Sequence, residues 1–138
     1  MAAAAGVLAT YVHMVFALWA PRYGLPRLDF ARGLSELSFT DSFQGPPPYA
    51  LGLIALHLNG IVFALLYSAV FAPILPGPPP VRGLIYGGIL LIGSQCLFVP
   101  LFLRGGFFGF KEDKRSWMTA VVVHALYGAI VGWLAPII

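Results

Sequence analysis

The chain has 138 residues, of which 59% are hydrophobic and only 9% are charged, and its mean hydropathy is +0.87. Because soluble globular domains are about 45–50% apolar and about 25% charged, this composition excludes an ordinary soluble fold and a disordered chain. A single cysteine excludes an internal disulfide. The formal net charge is only +3, and in so apolar a chain it indicates membrane topology rather than nucleic-acid binding. The sequence therefore predicts an integral membrane protein.

Four stretches of the chain are long and apolar enough to cross a bilayer as helices, which takes about 20 residues. They contain no Asp, Glu, Lys or Arg and cover approximately residues 2–20, 49–75, 83–103 and 117–137. The run Pro76–Pro80 predicts a stiff short loop between the second and third stretches. Because residues 1–5 lack Lys and Arg, we expect the first stretch to be a retained helix and not a cleaved signal peptide. The predicted fold class is all-α, a single-domain, polytopic bundle of four transmembrane helices over residues 1–138.

The basic residues predict how the bundle is oriented. They concentrate in the loop between the first and second stretches and in the loop between the third and fourth, whereas the loop between the second and third holds only Arg82. The positive-inside rule places the two basic loops in the cytoplasm. Both termini then face the outer side, and we expect the chain in the bacterial cytoplasmic (inner) membrane. The basic residues of these two loops are Arg22, Arg27, Arg32, Arg104, Lys111, Lys114 and Arg115.

The long first loop contains a candidate amphipathic helix over residues 28–39. Phe30, Leu34 and Leu37 recur at helical spacing, and Asp29 precedes them as a candidate N-cap. Helices of this kind lie in the membrane interface. We interpret this one as a tether of the loop to the lipid headgroups, with docking of a partner protein as the alternative.

All three histidines lie inside predicted spans, and they lie at one depth. His13, His57 and His124 are each about seven residues from the basic end of their span, which is about 10 Å at 1.5 Å per residue. Gln95 of the third span lies near the same level, and Asn59 and Tyr127 lie slightly deeper. The sequence therefore predicts a polar layer that contains all six side chains.

Small residues at four-residue spacing predict which faces of the helices pack together, because transmembrane helices approach closely where their side chains are small. His13 and His124 lie within such rows, so we expect both to point into helix interfaces. His57 lies beside the row of its own helix, and Asn59 faces nearly the opposite way. The packing residues predicted on the second and fourth helices are Gly60, Ala64, Ser68, Gly128 and Gly132.

Several roles for the histidines are consistent with the sequence. The simplest is a set of buried polar groups that hold the bundle together by interhelical hydrogen bonds. A b-type haem, bound by His57 and His124 with His13 as a further cofactor-binding candidate, is the first alternative, and a magnesium tetrapyrrole is a variant of it. A three-histidine metal site lacks a recognisable second shell, and a proton or ion path lacks the intramembrane acid that such paths usually carry. Motifs of soluble enzymes are absent, so we predict no enzymatic activity beyond electron transfer.

Three segments of the chain resemble a family of small bacterial four-helix membrane proteins known only as a domain of unknown function. The resembling segments are residues 17–31, 57–67 and 124–132. The resemblance implies four helices and no particular activity.

Small-residue faces occur on all four predicted helices, which is more than one compact bundle needs. We therefore expect a small integral membrane subunit of a larger complex, respiratory or photosynthetic, with the lipid bilayer and other membrane-protein subunits as its partners and no nucleic acid. A haem b electron-transfer protein is the first alternative, and a small transporter or channel is the second.

Overall fold

The four apolar stretches form four helices that are long and apolar enough to cross a membrane. A computed structural model describes residues 1–138, and it contains helices, turns and loops but no strand. The helices are α1 (Ala2–Trp19), which continues as a 3₁₀ turn to Tyr23, α2 (Phe30–Phe39), α3 (Tyr49–Ile74), α4 (Pro79–Leu101) and α5 (Ser116–Leu134). The predicted all-α, multi-pass membrane bundle is therefore confirmed.

Prolines set two helix ends that differ from the predicted ones. Helix α4 begins at Pro79, so the assignment of Pro79 and Pro80 to a loop was wrong. A proline in the first helical turn lacks only an N–H that has no intrahelical partner there. Helix α5 ends at Leu134, short of the predicted end at residue 137, because Pro136 follows and cannot extend the helical hydrogen bonding.

Prolines also explain two π-helical segments inside the spans. Tyr67–Phe71 of α3 precedes Pro73, and Gly93–Phe98 of α4 precedes Pro100. A proline ring clashes with the carbonyl four residues earlier and removes one backbone donor. A wider π turn relieves the clash and lets the helix continue through the membrane.

The spanning helices pack in the order α3, α1, α5, α4, with α1 between α3 and α5. Glycines make the α4–α5 contact: a Cβ added at Gly83 or Gly87 would overlap backbone atoms of α5 around Gly128. Gly60 of α3 similarly meets α1, where the side chain of Thr10 occupies the space of its missing Cβ. The residues predicted to mediate packing, Gly60, Ala64, Ser68, Gly128 and Gly132, are all buried.

The connections from α1 to α3 and from α4 to α5 lie together at one end of the bundle, which we name the basic end. Helix α2 lies there and begins as predicted, with the Asp29 side chain accepting a hydrogen bond from the Arg32 N–H at 3.0 Å. Its buried side packs on α3, where Gly52 contacts the Ala31 carbonyl and the Ser35 hydroxyl donates to the Pro48 carbonyl at 3.2 Å. Protein covers this side of α2, whereas Leu37 of the same helix is 41% exposed, and the tether of α2 to the lipid headgroups stays a prediction.

The segment between α1 and α2 turns back into the bundle before α2 starts. The Leu28 N–H donates to the Ala17 carbonyl at 3.2 Å, and the Thr119 hydroxyl donates to the Pro26 carbonyl at 2.7 Å. These hydrogen bonds hold the segment inside the bundle, so that α2 starts at the depth of the histidines.

Candidate functional site

Two of the three histidines meet inside the bundle. The ring centroids of His13 on α1 and His124 on α5 are 5.6 Å apart with an interplanar angle of 89°, and each residue is only 8% exposed. Phe30 of α2 covers His13 from the basic end, with ring centroids 5.0 Å apart. An imidazole pair is therefore enclosed between α1 and α5 beneath an aromatic side chain of α2.

Backbone carbonyls determine which nitrogen of two histidines carries the proton. Nδ1 of His124 lies 2.8 Å from the Ala120 carbonyl, and Nδ1 of His57 lies 2.9 Å from the Leu53 carbonyl. A carbonyl oxygen only accepts, so each Nδ1 donates, and Nε2 of each ring keeps a lone pair. That lone pair is available for a hydrogen bond or a metal, as it is in histidines that act as ligands.

The structure does not place the His57 ring against either of the other two imidazoles. His57 is only partly buried on α3, and no aromatic contact joins its ring to His124 or His13. A haem between His13 and His124 would have to insert its macrocycle between α1 and α5, where Ala9 and Ala120 have no exposed surface. His13 and His124 therefore do not fit a haem between them, and haem binding by His57 and His124 stays a prediction. No three His, Cys, Asp or Glu side chains converge on one point either, so the structure forms no three-histidine metal site.

Tyrosine hydroxyls form the other buried polar contacts between the spans. The Tyr127 hydroxyl donates to the Gly60 carbonyl at 2.6 Å, and the Tyr86 hydroxyl donates to the Phe63 carbonyl at 2.8 Å. These bonds join α5 and α4 to α3. The predicted site omitted Tyr86, although its position between Gly83 and Gly87 on a small-residue face was a signal for it.

Gln95 is buried near the basic end of α4. It lies in the π-helical segment, is 2% exposed, and donates from Nε2 to the Ser94 hydroxyl at 3.1 Å. It also lines a cleft of about 540 Å³ between α2, the end of α4 and the start of α5. The polar group of α4 thus faces the basic end and not the tyrosines.

Asn59 lies apart from all of these groups. It is exposed on the outer face of α3, between the exposed side chains of Leu58 and Val62. At 1.5 Å per residue it is about 15 Å from the start of α3 at Tyr49, which is the middle of a hydrocarbon core about 30 Å thick. The predicted polar layer is therefore divided, with Gln95 and Tyr127 inside the bundle and Asn59 on its surface.

Comparison with known proteins adds no assignment, because no protein-family model, curated protein or solved structure matches the chain. The resemblance to small bacterial four-helix proteins stays a prediction, as do haem binding and transport.

Proposed function

We propose that this chain is a small integral membrane subunit that assembles with a partner inside the bilayer through the outer face of α3. Asn59 is the observation that carries this proposal. It is the only asparagine of the chain, and it is an exposed amide at the middle of an otherwise apolar helix face.

An amide in this position needs a polar partner. Hydrocarbon offers it no hydrogen bonds, and an unpaired polar group there is unfavourable by several kcal/mol. A side chain on a second helix relieves this, and such interhelical bonds contribute about 0.6 kcal/mol on average and up to about 1.7 kcal/mol. Asn59 therefore favours association of α3 over its exposure to lipid.

The residues around Asn59 have the spacing of a helix-packing seam. Ala55, Asn59, Val62 and Leu66 follow one another at four, three and four residues, and Asn59, Val62 and Leu66 are exposed. Alternating spacings of three and four residues keep one face turned toward a partner helix, and a single asparagine in such a seam specifies register and oligomeric state. The seam thus has both the geometry and the polar residue of a specific helix contact.

The partner that this seam fits is a second copy of the chain. An asparagine amide carries both donors and acceptors, so it is complementary to itself. A twofold axis parallel to the membrane normal would place Asn59 against Asn59 of the other copy, as an isologous interface requires. The other subunits expected of a larger complex would then bind to this dimer.

Native mass spectrometry of the full chain, released from a mild detergent, tests the proposal. We expect a dimer for the wild type, a shift to monomer for Asn59→Leu, and a retained dimer for Asn59→Gln, which keeps the amide. Ile92→Ala is the control, because Ile92 is an exposed apolar residue on α4 and lies outside the seam.

The outcomes separate the parts of the proposal. A monomeric wild type contradicts the assignment as a subunit. A complex with a different membrane protein that depends on Asn59 retains the subunit function and contradicts pairing with a second copy. A dimer that Asn59→Leu leaves intact contradicts the role of the seam.

A further inference from the structure

The cleft at the basic end has the size and lining of a ligand site. Its volume of about 540 Å³ lies within the range of about 300–1,000 Å³ that is typical of small-molecule pockets. An apolar wall is formed by Val99 of α4 and by Phe102 and Leu103, which directly follow α4. Charged side chains of α2 and of the α4–α5 connection line the rest, so the cleft is amphipathic.

The cations that line the cleft are already engaged by the chain. Arg27 is paired with Asp29 at 3.1 Å. Arg32 donates to the Pro47 carbonyl at 3.1 Å, and its guanidinium carbon lies 5.0 Å from the centre of the Tyr49 ring. Arg27 is therefore paired with a carboxylate, whereas Arg32 is held by neutral groups and keeps its positive charge at the edge of the cleft.

The carboxylates that line the cleft are different. Glu36 of α2 and Glu112 of the α4–α5 connection both border it, and neither takes part in the ion pairs of the chain, which are Arg27–Asp29 and Arg115–Asp113. Outside the Arg27–Asp29 pair, the cleft is lined by one cation, Arg32, and two anions, Glu36 and Glu112, so its net charge is −1 although the loops at this end carry an excess of basic residues.

Gln95 supplies an independent indication of a ligand. Gln95 is only 2% exposed, and it lines the cleft from the π-helical segment of α4. Its Nε2 donates to Ser94, and its carbonyl oxygen accepts no hydrogen bond within the chain. This oxygen is not one of the fully buried atoms without a partner, which are Thr10 Oγ1 and Ser68 Oγ, so it is open to the cleft and finds its hydrogen-bond partner there. The free acceptor fits a ligand that donates an N–H.

We propose that this cleft binds an organic ammonium ion joined to an apolar body. The carboxylates of Glu36 and Glu112 attract the ammonium group, and the carbonyl oxygen of Gln95 accepts one of its N–H bonds. The apolar body packs against Val99 and Phe102. Such a group comes either from a free lipophilic amine or from the headgroup of an aminophospholipid.

Fluorescence titration of the full chain with dansylcadaverine, a primary ammonium joined to a naphthalene ring, tests the proposal. The protein is reconstituted in phosphatidylcholine nanodiscs, and the N-acetylated, uncharged form of the probe is the matched control ligand. We expect saturable binding of dansylcadaverine, binding of the acetylated probe that is at least about tenfold weaker, and weaker binding of the charged probe at high salt, because exposed carboxylates are screened.

Variants locate the site. Glu36→Gln with Glu112→Gln is expected to weaken binding about tenfold, as the loss of two exposed ion pairs implies, and Gln95→Leu is expected to weaken it further. Asp113→Asn is the control, because Asp113 neighbours Glu112 but is paired with Arg115 at 3.5 Å and lies outside the cleft. Circular dichroism confirms that each variant remains helical.

Equal binding of the two probes, or unchanged binding by the double Glu variant, would overturn the proposal and show simple partition into the nanodisc. Absence of saturable binding would overturn it as well. Replacing part of the phosphatidylcholine by phosphatidylethanolamine identifies the source of the ammonium group. Competition by this lipid assigns the headgroup, and unchanged binding assigns a free amine.

Discussion

At the scale of single residues, the presence or absence of one methyl group determines how closely two helices approach. Gly128 of α5 lies against the backbone of α4, and an added Cβ would overlap the Gly83 carbonyl and approach the Cα of Gly87 to 2.9 Å. Gly88, one position along α4 from Gly87, has no atom within 4 Å of its missing Cβ. A glycine-to-alanine substitution is therefore expected to have opposite effects on stability at Gly128 and at Gly88.

We predict that Gly128→Ala destabilises the bundle by about 1–3 kcal/mol, because the backbones of α4 and α5 must move apart. Gly88→Ala should be neutral or stabilising by up to about 1 kcal/mol, since alanine is the better helix former. Reversible unfolding in mixed micelles of increasing dodecyl sulfate measures both changes. Equal effects of the two substitutions would show that the α4–α5 contact is looser than the structure indicates.

The histidines and Asn59 show, also at the residue scale, what a sequence pattern leaves open. Equal depth was predicted for His13, His57 and His124, and helical spacing correctly placed Asn59 away from His57. Residues at the same depth in the membrane need not touch, however. Contact also requires that their helices be neighbours and that each helix be rotated so that the two side chains face each other. The helix of His57, α3, is also a neighbour of α1, but only the rings of His13 and His124 face each other.

At the scale of elements, α2 packs on the bundle through one side. Ala31, Leu34 and Ser35 are buried, and the Tyr49 hydroxyl at the start of α3 donates to the Asp29 carboxylate at 2.9 Å. These contacts close the bundle at the basic end and form one wall of the cleft.

We predict that Gly52→Val detaches α2 from α3, because a side chain at Gly52 would overlap the Ala31 carbonyl. Maleimide labelling of a cysteine at position 34, in a Cys96→Ser background, should become about tenfold faster, which corresponds to a loss of roughly 1.4 kcal/mol in docking. Ala50→Val, at an exposed position of the same helix, should leave the rate unchanged. A slow rate in the Gly52→Val variant would contradict the close α2–α3 contact.

At the scale of the whole molecule, the basic residues are concentrated at one end of the bundle. We propose that the basic end faces the cytoplasm, as the positive-inside rule requires, in the cytoplasmic membrane of a bacterium. Arg82, in the first turn of α4, is the only Lys or Arg at the opposite end, and it donates to the carbonyls of Gly77 and Ala72. The positive charge at that end is therefore small, and the side chain that carries it is held against the end of α3 and the α3–α4 connection.

Labelling of intact cells with a membrane-impermeant maleimide checks this orientation in a Cys96→Ser background. A cysteine at Ile138, which is 68% exposed, should react from outside the cell. A cysteine at Gln44, exposed at the basic end, should react only after the cells are permeabilised. The reverse pattern would show that other signals override the basic loops.

The sequence by itself determined the number and approximate extent of the spanning helices, the presence of α2 and its Asp29 cap. These are local properties, since apolar length and side-chain spacing act within one segment. It also identified small-residue rows whose members Gly60, Gly128 and Gly132 are buried in contacts between helices. The tertiary structure alone decided that His13 meets His124 beneath Phe30, that Gln95 opens onto a cleft, and that Asn59 remains on the surface. Each of these depends on the order and rotation of helices around the bundle and on the return of the chain before α2, which arise from the packing of distant segments against one another.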